Sequence, residues 1–234
     1  MRFAALAALL TLISCKSAPV EKPIVVEVYA DMVCPWCFVG TERLDAAVAQ
    51  SGLGQRVVIQ HKTFLLNADT PPEGIDVAQM LREKTGREPK ELFARVEAFA
   101  KESGIDLDLS KQPRQYSTVK GHALLRHAAK KGTQRRLEQA LFRANFLDGK
   151  NISDEATLVG LATPHGFTAD EVKRIVNDPQ ELEATRAEAI AASRQGITGV
   201  PFFVFPNGQR LSGAQPTETL KAALLASSTT GVTQ

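Results

Sequence analysis

Cys34-Pro35-Trp36-Cys37 sets two thiols two residues apart, a spacing that closes a small disulfide and suits thiol–disulfide exchange. An apolar run, Ile24 to Ala30, precedes the motif, and a helix-like run, Gly40 to Gln50, follows it. At such a strand-to-helix junction the first sulfur sits at a helix N-terminus. Unpaired backbone N–H groups there favour the thiolate, which is the reactive form. Cys34 is therefore expected to attack, and Cys37, tucked into the first turn, to resolve. Pro35 has no backbone N–H and removes one donor to the Cys34 thiolate, while Trp36 covers apolar surface beside the sulfurs. Both are expected to tune the potential. Zinc binding is the competing use of a CxxC, but zinc takes four ligands. There is no second CxxC, and His61, His122, His127 and His165 form no ligand-like cluster in sequence, so no metal is expected. All four histidines are read as structural or solvated.

The third cysteine belongs to a different signal. Arg2 and an apolar run from Phe3 to Ser14 suit a signal-peptide core and are too short to span a bilayer. Leu12-Ile13-Ser14-Cys15 resembles the lipobox of bacterial lipoproteins, which implies cleavage before Cys15 and lipid on its sulfur. The expectation is a periplasm-facing lipoprotein of the cell envelope, with a lipid anchor in a membrane. Export to such a compartment permits disulfides. Removing Cys15 from the count leaves two cysteines, the CxxC pair. The 234 residues carry 44% apolar and 23% charged residues with a formal net charge of +2, enough for a sizeable core and no case for nucleic acid.

Several elements must position the thiols. Residues 1–14 read as the signal peptide and 15–23 as the lipidated N-terminus and tether. Ile24 to Ala30 and Val57 to Phe64 read as strands flanking the helix after the CxxC, a βαβ half spanning 24–74. Residues 75–196 show almost unbroken helical pattern, with apolar faces at Leu92, Phe93, Val96, Phe99 and Ala100, and at Leu137, Ala140, Leu141 and Ala144. Thr168 with Glu171 reads as a capping box, and Asp178-Pro179 with Glu181 as a helix start. A ββα half follows over 197–227, with Phe202 to Phe205, a Pro206-Asn207-Gly208 turn, a strand near Arg210 to Ser212 and a last helix. Residues 228–234 are expected to be a disordered tail. The fold class is thus α/β, thioredoxin-like, with a large all-helical insertion between two halves.

Asp31-Met-Val-Cys-Pro-Trp-Cys37, Phe64-Leu-Leu-Asn67, Ser117-Thr118 with His122, Leu141 to Gly149, Asn151-Ile-Ser-Asp154, Gly199-Val-Pro-Phe-Phe203 and Ser212 to Pro216 together resemble the DsbA family of thiol–disulfide oxidoreductases. They are most similar to its FrnE-like branch. The resemblance implies protein clients that carry cysteines, a redox partner that resets the CxxC, and no cofactor. It implies a cis peptide at Val200-Pro201, packed against the CxxC, with the Val200 backbone available to a client strand. It also implies a buried carboxylate near the second cysteine, for which Asp31 and Glu27 are the candidates for proton handling. The plainer readings are preferred for both: a loop aspartate bonding nearby N–H groups, and an edge-strand glutamate facing water. Two other functions fit the same architecture. One is a glutathione-dependent transferase or isomerase of the kappa-class or 2-hydroxychromene-2-carboxylate type, and the other is a non-enzymatic envelope chaperone.

Overall fold

β1 (Ile24–Ala30) is rich in β-branched residues, and Val26, Val28 and Ala30 are fully buried on one of its faces. The structure, a computed structural model, describes residues 22–71 and 73–229. The expected signal segment, Cys15 and the end of the expected tail lie outside them. After β1 come α1 (Pro35–Ser51) and β2 (Val57–Thr63). β1 and β2 pair in parallel from Ile24↔Val57 to Ala30↔Thr63, the pairing that a helical crossover produces. At the other end of the chain lie β5 (Phe202–Val204), β6 (Arg210–Ser212) and α9 (Thr217–Thr229). β5 pairs antiparallel with β1, and the four-stranded order is β2-β1-β5-β6. The first and last parts of the sequence therefore build one sheet, and α1 and α9 pack together beside it.

Between β2 and β5 the chain forms β3 (Ile75–Asp76), α2 (Val77–Thr85), α3 (Pro89–Glu102), β4 (Arg114–Gln115), α4 (Val119–Lys130), α5 (Gln134–Phe146), α6 (Glu155–Ala162), α7 (Ala169–Asn177) and α8 (Pro179–Arg194). The stretch is not wholly helical, as β3 and β4 form a separate two-stranded sheet. Two paired residues per strand are too few to leave an alternating pattern in the sequence. The expected helix starts are present. Thr168 and Glu171 exchange both capping-box bonds at 3.1 and 2.7 Å, and the Asp178 side chain caps α8, whose first residue is Pro179.

α9 runs further than expected. Ser228 and Thr229, placed in a disordered tail by sequence, are helical because Leu220, Ala223, Leu224 and Ser227 keep one face buried to its end. The hydroxyls of Ser228 and Thr229 return to the carbonyls of Leu225 and Ala226.

α4, α5 and α8 pack against β2, the outer strand. α5 also reaches α1. Phe38 stacks on Phe142 and Phe146 with ring centroids 5.5 and 6.0 Å away. A buried Arg43 ties α1 to α3 and to the loop before α9. Its guanidinium donates to Ser103 Oγ, the Phe99 carbonyl and the Ala214 carbonyl.

Candidate active site

Cys34 is the N-cap of α1, with extended backbone, and Pro35 is the first helical residue. Proline suits that place because its φ is already helical and its missing N–H would find no partner there. The Cys37 N–H donates to the Cys34 sulfur across 3.3 Å, so the sulfur takes the place of a capping oxygen. A negative sulfur at this point also meets the positive end of the helix. Both cysteines are free thiols and both are buried, Cys37 completely. Burial is the largest influence on Cys37 and pushes its thiol well above the usual range. The hydrogen bond and charge of Cys34 push the same way, as does the Asp31 carboxylate, while the Asp31 backbone pulls it down. The two sulfurs are thus unequal: one caps a helix and the other is held as a thiol.

The Val200–Pro201 peptide is cis, and the Val200 carbonyl lies 3.9 Å from the Cys34 sulfur. Pro201 seats against α1 at Gly40, where a Cβ would fall 2.8 Å from the Pro201 Cγ. Beside Cys34 a hollow of about 550 Å³ opens under α2 and α3, lined largely by apolar side chains that include Met80, Leu81, Leu92 and Phe93. Trp36 forms part of its wall, with its ring edge-on to Phe99 at 5.2 Å and the Arg95 guanidinium 5.7 Å above it.

The two candidate carboxylates separate. β1 is an interior strand, so Glu27 is not on a sheet edge. It alternates out of the Val26, Val28, Ala30 set that borders the cysteines, and pairs with Lys62 at 3.0 Å near Tyr29. Asp31 is a loop aspartate that bonds a backbone N–H, but a buried one. It is 1% exposed, and its Oδ2 accepts from the Leu66 N–H at 2.7 Å. Its backbone carbonyl accepts from the Cys34 N–H at 2.9 Å, which fixes the turn into α1.

The histidines, read as structural or solvated, fall into two groups, and two of them meet in the interior. His61 from β2 and His122 from α4 are both buried and meet at 3.0 Å, Nε2 to Nδ1. His61 Nδ1 lies 2.8 Å from the buried Glu138 of α5, and His122 Nε2 lies 3.5 Å from Asp31 Oδ1. α4 comes this close because Gly121 has no side chain; a Cβ there would stand 3.0 Å from Met32 Cε. Burial would raise the Glu138 carboxyl, but Arg135 and His61 overrule it and hold it down at about 2. Burial, and to a lesser degree the neighbouring His61, lowers His122. A signal for both residues existed in the sequence. His122 follows Val119 by three, and Glu138 precedes Leu141 by three, so each ionisable residue lies on an apolar helical stripe. His127 instead pairs with Glu181 at 2.9 Å, and His165 ends a short turn of 3-10 helix, both away from this group. Among the described residues no group of three or more His, Cys, Asp and Glu is arranged to hold a metal ion.

Residues 25–225 match the family described as the DSBA-like thioredoxin domain. A search of the curated proteins found no match. Among solved structures, a probable DsbA oxidoreductase from Streptomyces coelicolor is similar with 32% identity and a TM-score of 0.79, over 90% of this chain and 92% of that one. A 2-hydroxychromene-2-carboxylate isomerase shares the fold at 15% identity and a TM-score of 0.67, over 90% and 100%. So does the cytosolic disulfide reductase DsbM from Pseudomonas aeruginosa, at 20% identity and 0.58, over 86% and 98%.

Proposed function

The chain belongs to the DSBA-like thioredoxin domain family and is a thiol–disulfide oxidoreductase, and from this premise we propose that Cys34 exchanges disulfides with exported protein clients through a mixed disulfide that Cys37 resolves. The observation that carries the assignment of roles is the inequality of the sulfurs. Cys34 caps α1 and borders the apolar hollow, whereas Cys37 is fully buried and held protonated. In the reducing direction the Cys34 thiolate attacks a client disulfide and expels one client thiolate. Cys37, once deprotonated, attacks the Cys34 sulfur and expels the other, leaving an oxidised CxxC and a reduced client. The oxidising direction is the reverse. The Val200 carbonyl faces Cys34, and Val200 and Pro201 would lie along the client backbone, with apolar client side chains entering the hollow under α2 and α3. Pro35 and Trp36, between the two sulfurs, tune the potential of the pair.

The reading extends to the FrnE-like branch, on the segments around Ser117-Thr118, His122 and Leu141 to Gly149. It also extends to a lipoprotein facing the periplasm, anchored through Cys15. Trapping tests the chemistry. Cys37→Ser is expected to accumulate client mixed disulfides that thiols release, while Cys34→Ser forms none and loses turnover by about 10³-fold or more. Turnover that survives Cys34→Ser would instead favour a glutathione-dependent transferase. Fractionation tests the anchor: the full chain is expected with the membranes, and Cys15→Ser in the soluble fraction.

A further inference from the structure

α2 buries none of its residues, yet it carries an apolar stripe. Val77, Met80 and Leu81, spaced i, i+3 and i+4, all line the hollow beside Cys34. Leu92 and Phe93 of α3 line it too and are also only partly buried. Two helices thus turn apolar side chains toward a space that no side chain of the described residues fills. At about 550 Å³ the hollow has the volume of a small-ligand site, and it takes more than one side chain. Its charges are of one sign. Lys84, one turn beyond Met80 and Leu81, and Arg95 of α3 line it, and no acidic residue does. Arg82, near Lys84 in sequence, pairs with Glu88, but Lys84 and Arg95 form no ion pair among the described residues. Arg95 stands over the ring of Trp36, between the two cysteines of the motif.

We propose that the hollow selects protein clients in which a large apolar side chain and an acidic one flank the cysteine. The apolar side chain fills the space between α2 and α3, and the carboxylate meets Lys84 and Arg95. This selection rests on the reading of Cys34 as the thiol that exchanges with clients. Two separate forces act on such a client. Burial of apolar surface does not depend on screening, whereas the attraction between exposed charges weakens as salt is added. The lining favours a peptide chain over a small carboxylated thiol, which would reach the cations but leave the stripe of α2 bare. Selection is read at the first covalent step. The client thiol gives its proton to solvent, and its thiolate attacks Cys34 of the oxidised pair. The S–S bond breaks, and Cys37 leaves with its electrons and takes up a proton.

The test mixes the oxidised full chain with single-cysteine peptides of one length. Their cysteine is flanked by leucine and glutamate, by leucine and lysine, or by serine and glutamate. Acid quenching and mass measurement give the rate of mixed-disulfide formation. Each rate is divided by that of the same peptide with hydroxyethyl disulfide, which removes differences in thiol reactivity. At low salt the leucine–glutamate peptide is expected to react about tenfold faster than the leucine–lysine peptide, and this preference to shrink in high salt. Its advantage of about tenfold over the serine–glutamate peptide is expected to persist in high salt. Lys84→Glu is expected to abolish the preference for glutamate over lysine, and Leu81→Gln to reduce that for leucine over serine. Because α2 buries no residue, neither variant removes a core contact, and urea midpoints check this. Absence of either preference in the parent chain, or a charge preference that survives Lys84→Glu, overturns the proposal. So does glutathione reacting faster, on the same scale, than the leucine–glutamate peptide, which would make the hollow a site for small carboxylated thiols. If the folded parent forms no mixed disulfide with any of these thiols, the reading of Cys34 itself falls, and the selection with it.

Discussion

Glu138 shows what a single buried carboxylate contributes. Its carboxyl is held at about 2 in the fold, against 4.5 ordinarily, because Arg135 and His61 outweigh the burial that would raise it. As pH falls the unfolded chain therefore binds the proton first. The stabilisation is whole above 4.5 and gone once pH has passed below about 2. Its size is about 3 kcal/mol by linkage. His122 adds to the same acid limb from a higher pH, since burial keeps it neutral below 6.5, where the unfolded chain already gains a proton. Urea titrations across pH are expected to show Glu138→Gln less stable near pH 7 and flatter through the acid limb. A variant as stable as the parent, with an unchanged limb, would refute this account.

At the scale of elements, α1 carries the chemistry on its first turn and the fit to Pro201 one turn later. Gly40 allows that fit, since a Cβ would meet Pro201 Cγ at 2.8 Å and Phe203 Cζ at 3.4 Å. Gly40→Ala is expected to destabilise by about 1–3 kcal/mol and to lower client turnover by roughly tenfold, as a displaced Pro201 carries the Val200 carbonyl away from Cys34. Gly160→Ala in α6, where nothing lies within 4 Å of the added Cβ, serves as the control and is expected to stabilise by about 0.5–1 kcal/mol. Urea midpoints and turnover check both. The same elements show what was legible in the sequence. β1, α1 and β2 were readable because each has a strong local pattern, and α7 and α8 because their caps are local side-chain bonds. The CxxC and Val200-Pro201 were readable as motifs. The pairing of His61 with His122 was not, because it joins an outer strand to a helix far along the chain and is decided by how closely Gly121 lets α4 approach. Asp31 was legible as a turn residue but not as a buried one, because the groups it meets, the Leu66 N–H and His122, lie far along the chain.

At the scale of the whole molecule, Arg43 is one of the polar ties that cross its seams. It is 7% exposed and bonds to α3 and to the loop before α9, with Glu102 at 3.3 Å as its ionic partner. Arg43→Met takes the donor from the Ala214 carbonyl and leaves the Phe99 carbonyl with the Ser103 hydroxyl, and is expected to cost about 1–3 kcal/mol. Because α3 roofs the hollow beside Cys34, client KM is expected to rise more than kcat falls. Steady-state kinetics with a cysteine-containing peptide would show it, and an unchanged KM would separate α3 from client binding. The aromatic column of Phe38, Phe142 and Phe146 bears on transplantation. α5 stacks on the residue directly after Cys37 and also presents Glu138 to His61. The helices between β2 and β5 are therefore no detachable accessory. A graft of these helices onto a plain thioredoxin scaffold would need, on the recipient, an aromatic after the second cysteine, a histidine in the second strand and a carboxylate ahead of the first cysteine. Without them the grafted helices would lose the contacts that seat them against the sheet and the first helix.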